Sequence, residues 1–294
     1  MELLLLVGLI GVGALLTRYT ILTKARVGWI NKWIIYIALP AVALSKIPGV
    51  VLSRELLAPI VTPLVGFALA AILFLWLFRA WLTRSQRLVL TLLGGLGNTS
   101  FIGFPLVTYF YGVDHLGTAV IYDQLSFLLL ATLAQWLIFR NDESYHMSRS
   151  LKKIVTFPAF IALILAIWIP PSWIVGAMDI LLDGIIWTIS PLAMLIVGYQ
   201  VSRYVDLSLD RLAIVAIFYK LLMSPVVTVG LLYVMRISGA VYETTVLESG
   251  MASMITASLF LLEKDIESRL SSQILFWGTL ISFITTYLLV HWII

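Results

Sequence analysis

Apolar residues run along this chain in long blocks separated by short polar connections. A helix needs about 20 such residues to cross a bilayer. By that rule residues 3–22, 28–46, 57–78, 87–112, 115–139, 152–170, 174–201, 211–235, 239–262 and 270–293 predict ten spanning helices. The longest connection, Arg140 to Lys153, is polar and reads as a loop. The expected fold is therefore an all-α polytopic membrane protein.

One block breaks the pattern. Gly94-Gly-Leu-Gly-Asn-Thr-Ser-Phe-Ile-Gly-Phe-Pro105 sets four glycines, a proline and the polar trio Asn98, Thr99 and Ser100 in the middle of the fourth span. Within lipid, non-helical backbone is tolerated only where protein buries it or a cavity hydrates it. Glycine permits non-helical dihedrals, and Pro105 suits the start of a new helix. The stretch therefore predicts two half-helices, the second starting after Pro105, joined by an unwound crossover. The glycines alone read as close helix packing; Asn98 and Pro105 together favour the crossover.

Composition agrees with a membrane protein: of 294 residues, 61% are hydrophobic and 12% charged. With no cysteine, thiol catalysis, disulfides and thiolate metal sites are excluded. The first residues carry no basic run ahead of their apolar stretch, so a cleaved signal peptide is not expected. Lys and Arg concentrate in alternate connections, at Arg18, Lys24, Arg26 and Lys32, at Arg79, Arg84 and Arg87, at Arg140, Arg149, Lys152 and Lys153, at Arg203 and Arg211, and at Lys264 and Arg269. The opposite side has only Lys46, Arg54 and Arg236. The positive-inside rule then puts both termini outside the cytoplasmic (inner) membrane. Short basic loops at membrane edges give no support for nucleic-acid binding.

The two halves, 1–147 and 148–294, echo one another. Ile34 to Leu44 around Pro40 aligns with Ile185 to Leu195 around Pro191, and Pro63 has a counterpart in Pro225. The same offset carries the span 4 break onto Glu248-Ser-Gly-Met-Ala-Ser253 in span 9, and Asp123-Gln124 close to Ser272-Gln273. Five spans per repeat make the second half inverted, a pattern found in secondary transporters.

At each break a half-helix begins and presents free N–H groups and the positive end of its dipole, which favours a carboxylate. Asn98, Thr99, Ser100, Pro105, Ser249 and Ser253 form the expected solute site. An Asp or Lys inside a span costs about 2.5–3.5 kcal/mol, so such residues normally face a partner or a pathway. Glu248 and Asp123, with Gln124 and Gln273, are the candidates for a coupling cation or proton, and Lys220 is a supporting charge. The plainer alternatives are that Glu248 satisfies loose backbone donors, that Lys220 extends towards the interface, and that the glutamines join helices. Asp179 and Asp183, four apart, read as a solvated interfacial pair. No hydrolytic or nucleotide-binding pattern occurs, so an enzyme is not expected.

Gly97-Asn-Thr-Ser-Phe-Ile-Gly-Phe-Pro-Leu106 and Tyr122-Asp-Gln124 resemble the span 4 and span 5 motifs of the auxin efflux carrier family. Leu39-Pro-Ala41, Ser190-Pro-Leu-Ala193 and Thr279-Leu-Ile-Ser282 resemble further positions of that family. The resemblance implies a ten-span, inverted-repeat carrier related to the bile acid:sodium symporters. It implies a scaffold from 1–50 and 150–205, a site for a homodimer contact, and a transport domain from 55–140 and 210–294 that moves as an elevator. The family's crossover asparagine falls on Asn98, and Glu248 resembles the carboxylate near the span 9 crossover of the bile acid relatives. Where the family often has a proline in span 9, this chain reads Met251-Ala-Ser253.

Together these readings predict a secondary transporter of a small organic anion, a mono- or dicarboxylate, with H+ or Na+ coupling open and no other cofactor. A cation/proton antiporter and a ligand-binding membrane sensor without net transport are the alternatives.

Overall fold

The computed structural model describes residues 3–48, 54–139 and 155–292. The basic loop from Arg140 to Lys153 and the boundary between the sequence halves lie outside them. Among the described residues the chain is helical throughout, with one isolated β-bridge and no named strand.

Helix occupies each of the ten apolar stretches. We number them α1 (Leu3–Arg18), α2 (Lys24–Lys46), α3 (Arg54–Leu77), α4a (Arg84–Gly95), α4b (Thr99–Gly103 continuing through Phe104–Tyr111), α5 (Val113–Ile138), α6 (Pro158–Ala166), α7 (Ala177–Arg203), α8 (Arg211–Met235), α9a (Ala240–Ser249), α9b (Ile255–Glu263) and α10 (Ser268–Trp292). Six of these, α2, α3, α5, α7, α8 and α10, are 23–27 residues long and apolar enough to cross a membrane unaided. The stretches holding α4 and α9 are each split in two. Large apolar side chains such as Leu4, Ile180 and Tyr233 point outward, as a lipid-facing surface requires.

Three of these helices widen into a π turn immediately ahead of a proline. The turns are Ile34–Ala38 before Pro40, Thr99–Gly103 before Pro105 and Tyr219–Met223 before Pro225. In each, the residue preceding the proline donates its N–H five residues back: Leu39 to Ile34, Phe104 to Thr99 and Ser224 to Tyr219. Proline has no N–H to give, and its ring clashes with the carbonyl four residues earlier. Widening the turn makes room for the ring and still uses the backbone donor next to it.

Side chains bury into two main cores. One joins α1, α2, α6 and α7 with α4b and the start of α5. The other joins α3, α4a, α8, α9b and the start of α10 with the end of α5. The two halves of helix 4 thus belong to different cores, and the break between them lies where the cores meet. Gly94 and Gly95 remain helical there. A Cβ on Gly95 would sit 2.8 Å from the Phe67 ring, so these two glycines serve packing, as the plainer reading of the sequence had it.

Candidate functional site

Helix α4a stops at Gly95 because Leu96 turns extended, at φ −110° and ψ 129°. Opposite it, α9a stops at Ser249, and Gly250 and Met251 close the end with bonds to Leu247 O (3.1 Å) and Glu248 O (3.3 Å). The two open segments then pair with each other. Asn98 N donates to Ala252 O at 2.7 Å, Met254 N donates to Leu96 O at 2.9 Å, and Gly97 and Ser253 form an antiparallel bridge. This cross-pairing explains how irregular backbone survives here. Each break supplies the donors and acceptors that the other lost when its helix ended, so little backbone is left orphaned away from water.

Side chains finish the job. Ser253 Oγ donates to Leu93 O at 2.6 Å, and Lys220 Nζ donates to Ser249 O at 2.8 Å, each meeting a carbonyl at the C-terminal end of a half-helix. A cation at that pole is also favoured by the helix dipole. Lys220 emerges from the π turn of α8, which aims it across the crossing; a Cβ on Gly97 would lie 3.1 Å from its Nζ. Among the described residues Lys220 makes no ion pair within 4 Å.

The second half-helix of span 4 starts earlier than expected. It begins at Thr99, not after Pro105, because Asn98 caps it: the Asn98 Oδ1 accepts the Phe101 N–H at 3.3 Å, and the Asn98 carbonyl takes those of Ile102 and Gly103. Pro105 lies inside the segment, where it shapes the π turn. The matching cap position of α9b is Met254, which has no side-chain acceptor to offer.

Asp123 sits against the new helix. The hydroxyls of Thr99 and Ser100 both donate to its Oδ1, and Gln124 Nε2 donates to its Oδ2 at 3.4 Å. On the other side Glu248 is fully buried, and among the described residues neither of its carboxylate oxygens has a hydrogen-bond partner. It lies directly over Gly103; a Cβ there would be 2.6 Å from Oε1 and 2.7 Å from the carboxyl carbon. The buried Asn98 Nδ2 and Gln124 Oε1 are also unpartnered. Buried polar groups are nearly always satisfied, so a cluster of orphaned ones marks a place built for something else.

A cavity of about 60 Å³ opens beside this cluster. Asn98, Thr99, Ser100 and Asp123 form its polar wall, and Phe101 and Met254 adjoin them. Ile35, Leu39 and Phe157, from α2 and the residue before α6, close it from the opposite side, with Phe127 stacked on Phe157 at 4.2 Å between ring centroids. Ile35, Phe127, Phe157 and Thr256 were not singled out in the sequence. They are ordinary apolar or small polar residues of distant spans, and no local pattern marks them.

Six expected site residues are at the crossing without lining the cavity, among them Ser253, bonded to Leu93 O, and Gln124, bonded to Asp123. Lys220 is used on Ser249 O, Glu248 lies against Gly103, Ser249 Oγ is used on Val246 O at 2.7 Å, and Pro105 is buried in α4b. Gln273 is elsewhere. It accepts from Asp210 N (3.2 Å) and donates to Ser208 Oγ (2.7 Å), holding the α7–α8 connection against α10. The reason is that α10 is unbroken and starts only at Ser268, so Gln273 stands in its second turn, whereas Asp123 and Gln124 stand deep in α5. In the same connection the Ser208 hydroxyl and N–H hold the Asp206 carboxyl below the usual carboxylate range. Asp183 is not merely solvated: Lys46 Nζ reaches it at 3.6 Å and Asp114 at 3.7 Å, tying the end of α2 to α7 and to the α4b–α5 turn.

Buried carboxylates, an unpaired buried lysine and crossed helix ends inside an apolar helical molecule define a membrane transport protein rather than an inert bundle. The comparisons with known proteins agree: a family described as "membrane transport protein" matches residues 1–290, and the chain belongs to it, the auxin efflux carrier family. It is similar to an uncharacterized transporter of Methanothermobacter thermautotrophicus, at 26% identity across 94% of this chain and 92% of the relative. An uncharacterized transporter of Methanocaldococcus jannaschii is 27% identical across 90% of this chain and 89% of that protein. The protein is thus a multi-pass membrane transporter.

Proposed function

We propose that this protein is a secondary carrier for a small organic anion, a mono- or dicarboxylate, which binds at the crossing of α4 and α9. The observation that carries this reading is the pairing of the two breaks around unpartnered polar groups beside a cavity. The α4b N-terminus directs free backbone donors and the positive end of its dipole at that cavity, and Asn98 Nδ2 adds a donor. Neutral donors of this kind hold a carboxylate without a buried basic residue in direct contact.

On this reading the chain spans the inner membrane ten times as two inverted five-helix repeats, with both termini outside. Residues 1–50 and 150–205 form the scaffold, and 55–140 and 210–294 form the domain that carries the solute as an elevator. The cavity supports that division, because Ile35, Leu39 and Phe157 of the scaffold face Asn98, Asp123 and Met254 of the carrying domain across it, and a sliding boundary there would expose the site to one side and then the other. The Lys46 contacts to Asp114 and Asp183 would close the boundary at the opposite edge from the basic loops. Glu248, unpartnered against Gly103, is the group that takes up the coupling proton or sodium ion, with Asp123 as the second carboxylate.

Glu248 also favours one other reading, a cation/proton antiporter, in which the carboxylates alone do the work. Uptake of labelled mono- and dicarboxylates by proteoliposomes separates the two. The carrier reading expects uptake by the wild type and a loss of about 100-fold or more in Asn98→Ala, on the scale of removing one buried donor to a charged group. Unchanged uptake by a folded Asn98→Ala protein would refute the site. Ion exchange without any organic solute would establish the antiporter.

A further inference from the structure

A second and larger cavity, about 490 Å³, lies between the start of α2, the end of α7 and Leu259 of α9b. It is lined by two basic side chains, Lys24 and Arg203, neither of which has an acidic partner among the described residues. Gln200 lines it too, 6% exposed, and among the described residues its Oε1 has no hydrogen-bond partner; nor has the Oδ1 of Asn31 on the facing helix. The chemistry of the wall is therefore double. Two cations and the N-terminal end of α2 call for anionic oxygens. Two orphaned carbonyl oxygens call for hydrogen-bond donors, which a bare anion lacks. A ligand that satisfies both carries a charged phosphate and hydroxyl groups on one small frame.

The depth of the cavity is marked by its surroundings. Tyr19 and Trp29, next in the chain to the lining residues Thr20 and Gly28, are 69% and 72% exposed and are the residue types that settle at the headgroup level of a bilayer. Lys24 and Arg203 stand at helix ends on the edge where the chain's basic residues gather. We propose that this cavity binds a polyol phosphate, with the phosphate on Lys24 and Arg203 and the hydroxyls on Gln200 and Asn31, as presented by the glycerol headgroup of an anionic phospholipid. Leu259 stands on α9b, within 210–294, and the other lining residues stand in 1–50 and 150–205, so the bound group touches both sides of the boundary that the carrier reading makes mobile. The site does not depend on what the crossing transports.

The test uses the full chain, purified in detergent and stripped of lipid, with binding read by native mass spectrometry and thermal shift. The probes are dioctanoyl phosphatidylglycerol, dioctanoyl phosphatidylcholine, glycerol 3-phosphate and inorganic phosphate. The expected result is saturable binding of phosphatidylglycerol in preference to phosphatidylcholine. Lys24→Ala and Arg203→Ala should each weaken it about tenfold, as loss of a charge-assisted contact does. Gln200→Leu should weaken the glycerol compounds and leave inorganic phosphate unaffected. If the alanine variants fail to fold, Arg203→Lys, which keeps charge but loses the bidentate fork, should show an intermediate loss. Glycerol 3-phosphate binding as well as the lipid, with the same dependence on Lys24 and Arg203, supports the site with a soluble source. Binding confined to phosphatidylglycerol supports a lipid source. Equal binding of phosphatidylcholine, no binding of either glycerol compound, or binding unchanged in the variants overturns the proposal.

Discussion

Gly103→Ala is expected to lower the melting temperature of the purified protein and to abolish transport, against the direction that helix propensity alone would give. Gly103 lies in a helical turn, where alanine normally stabilises by about 0.5–1 kcal/mol. Here the added Cβ would meet the buried Glu248 carboxylate, whose Oε1 is 2.6 Å away, at a point where α4b and α9a are in contact. Overpacking of this kind costs about 1–3 kcal/mol, so the clash outweighs the propensity and the net sign is destabilising. The double variant Gly103→Ala/Glu248→Ala tests the cause, because removing the carboxylate frees the space. Its stability should exceed that of Gly103→Ala alone, while coupled transport stays absent. Thermal melts of the four proteins of this cycle measure the interaction, and additivity within a few tenths of a kcal/mol would show that the two residues do not meet.

The second large effect is expected from Glu248→Gln. The amide keeps the shape of the side chain and cannot take up a proton or pair with a sodium ion as a carboxylate does. If Glu248 is the coupling group, the variant should still exchange solute across proteoliposomes. It should lose net accumulation, because an imposed proton or sodium gradient no longer acts on it. Uptake driven by each gradient in turn, in wild type and variant, makes the comparison. A variant that accumulates solute with the same pH and sodium dependence as the wild type would remove Glu248 from coupling and leave it a packing role beside Gly103.

Much of this site was legible from one stretch of sequence. The span 4 break was visible because Gly97, Asn98 and Pro105 violate the pattern of a lipid-embedded helix, and Asp123 and Glu248 stood out because charge in an apolar block is costly. Details that depend on which group satisfies which were not visible. Pro105 is the stronger helix-start signal by composition, yet Asn98 takes that role because its side chain caps Phe101 N, leaving the proline to widen the turn behind it. Gln273 resembles Gln124 in sequence context, but a helix that starts at Ser268 without interruption leaves it in the second turn, beside Ser208 and Asp210. The apolar wall of the cavity, Ile35, Leu39, Phe127 and Phe157, comes from three spans far apart in the chain. Residues of that kind are common in every span, so only the packing distinguishes them.

Because the chain has no cysteine, a single introduced thiol reports on the crossing without interference. Ser100→Cys places one on the polar wall of the small cavity, next to Asp123. Its rate of reaction with a small aqueous thiol reagent, in proteoliposomes with and without a transported carboxylate, tests the central claim most directly. The account predicts labelling that is slowed several-fold by the solute at concentrations that also saturate uptake. Labelling unaffected by a carboxylate that the same vesicles transport would mean that the solute passes elsewhere.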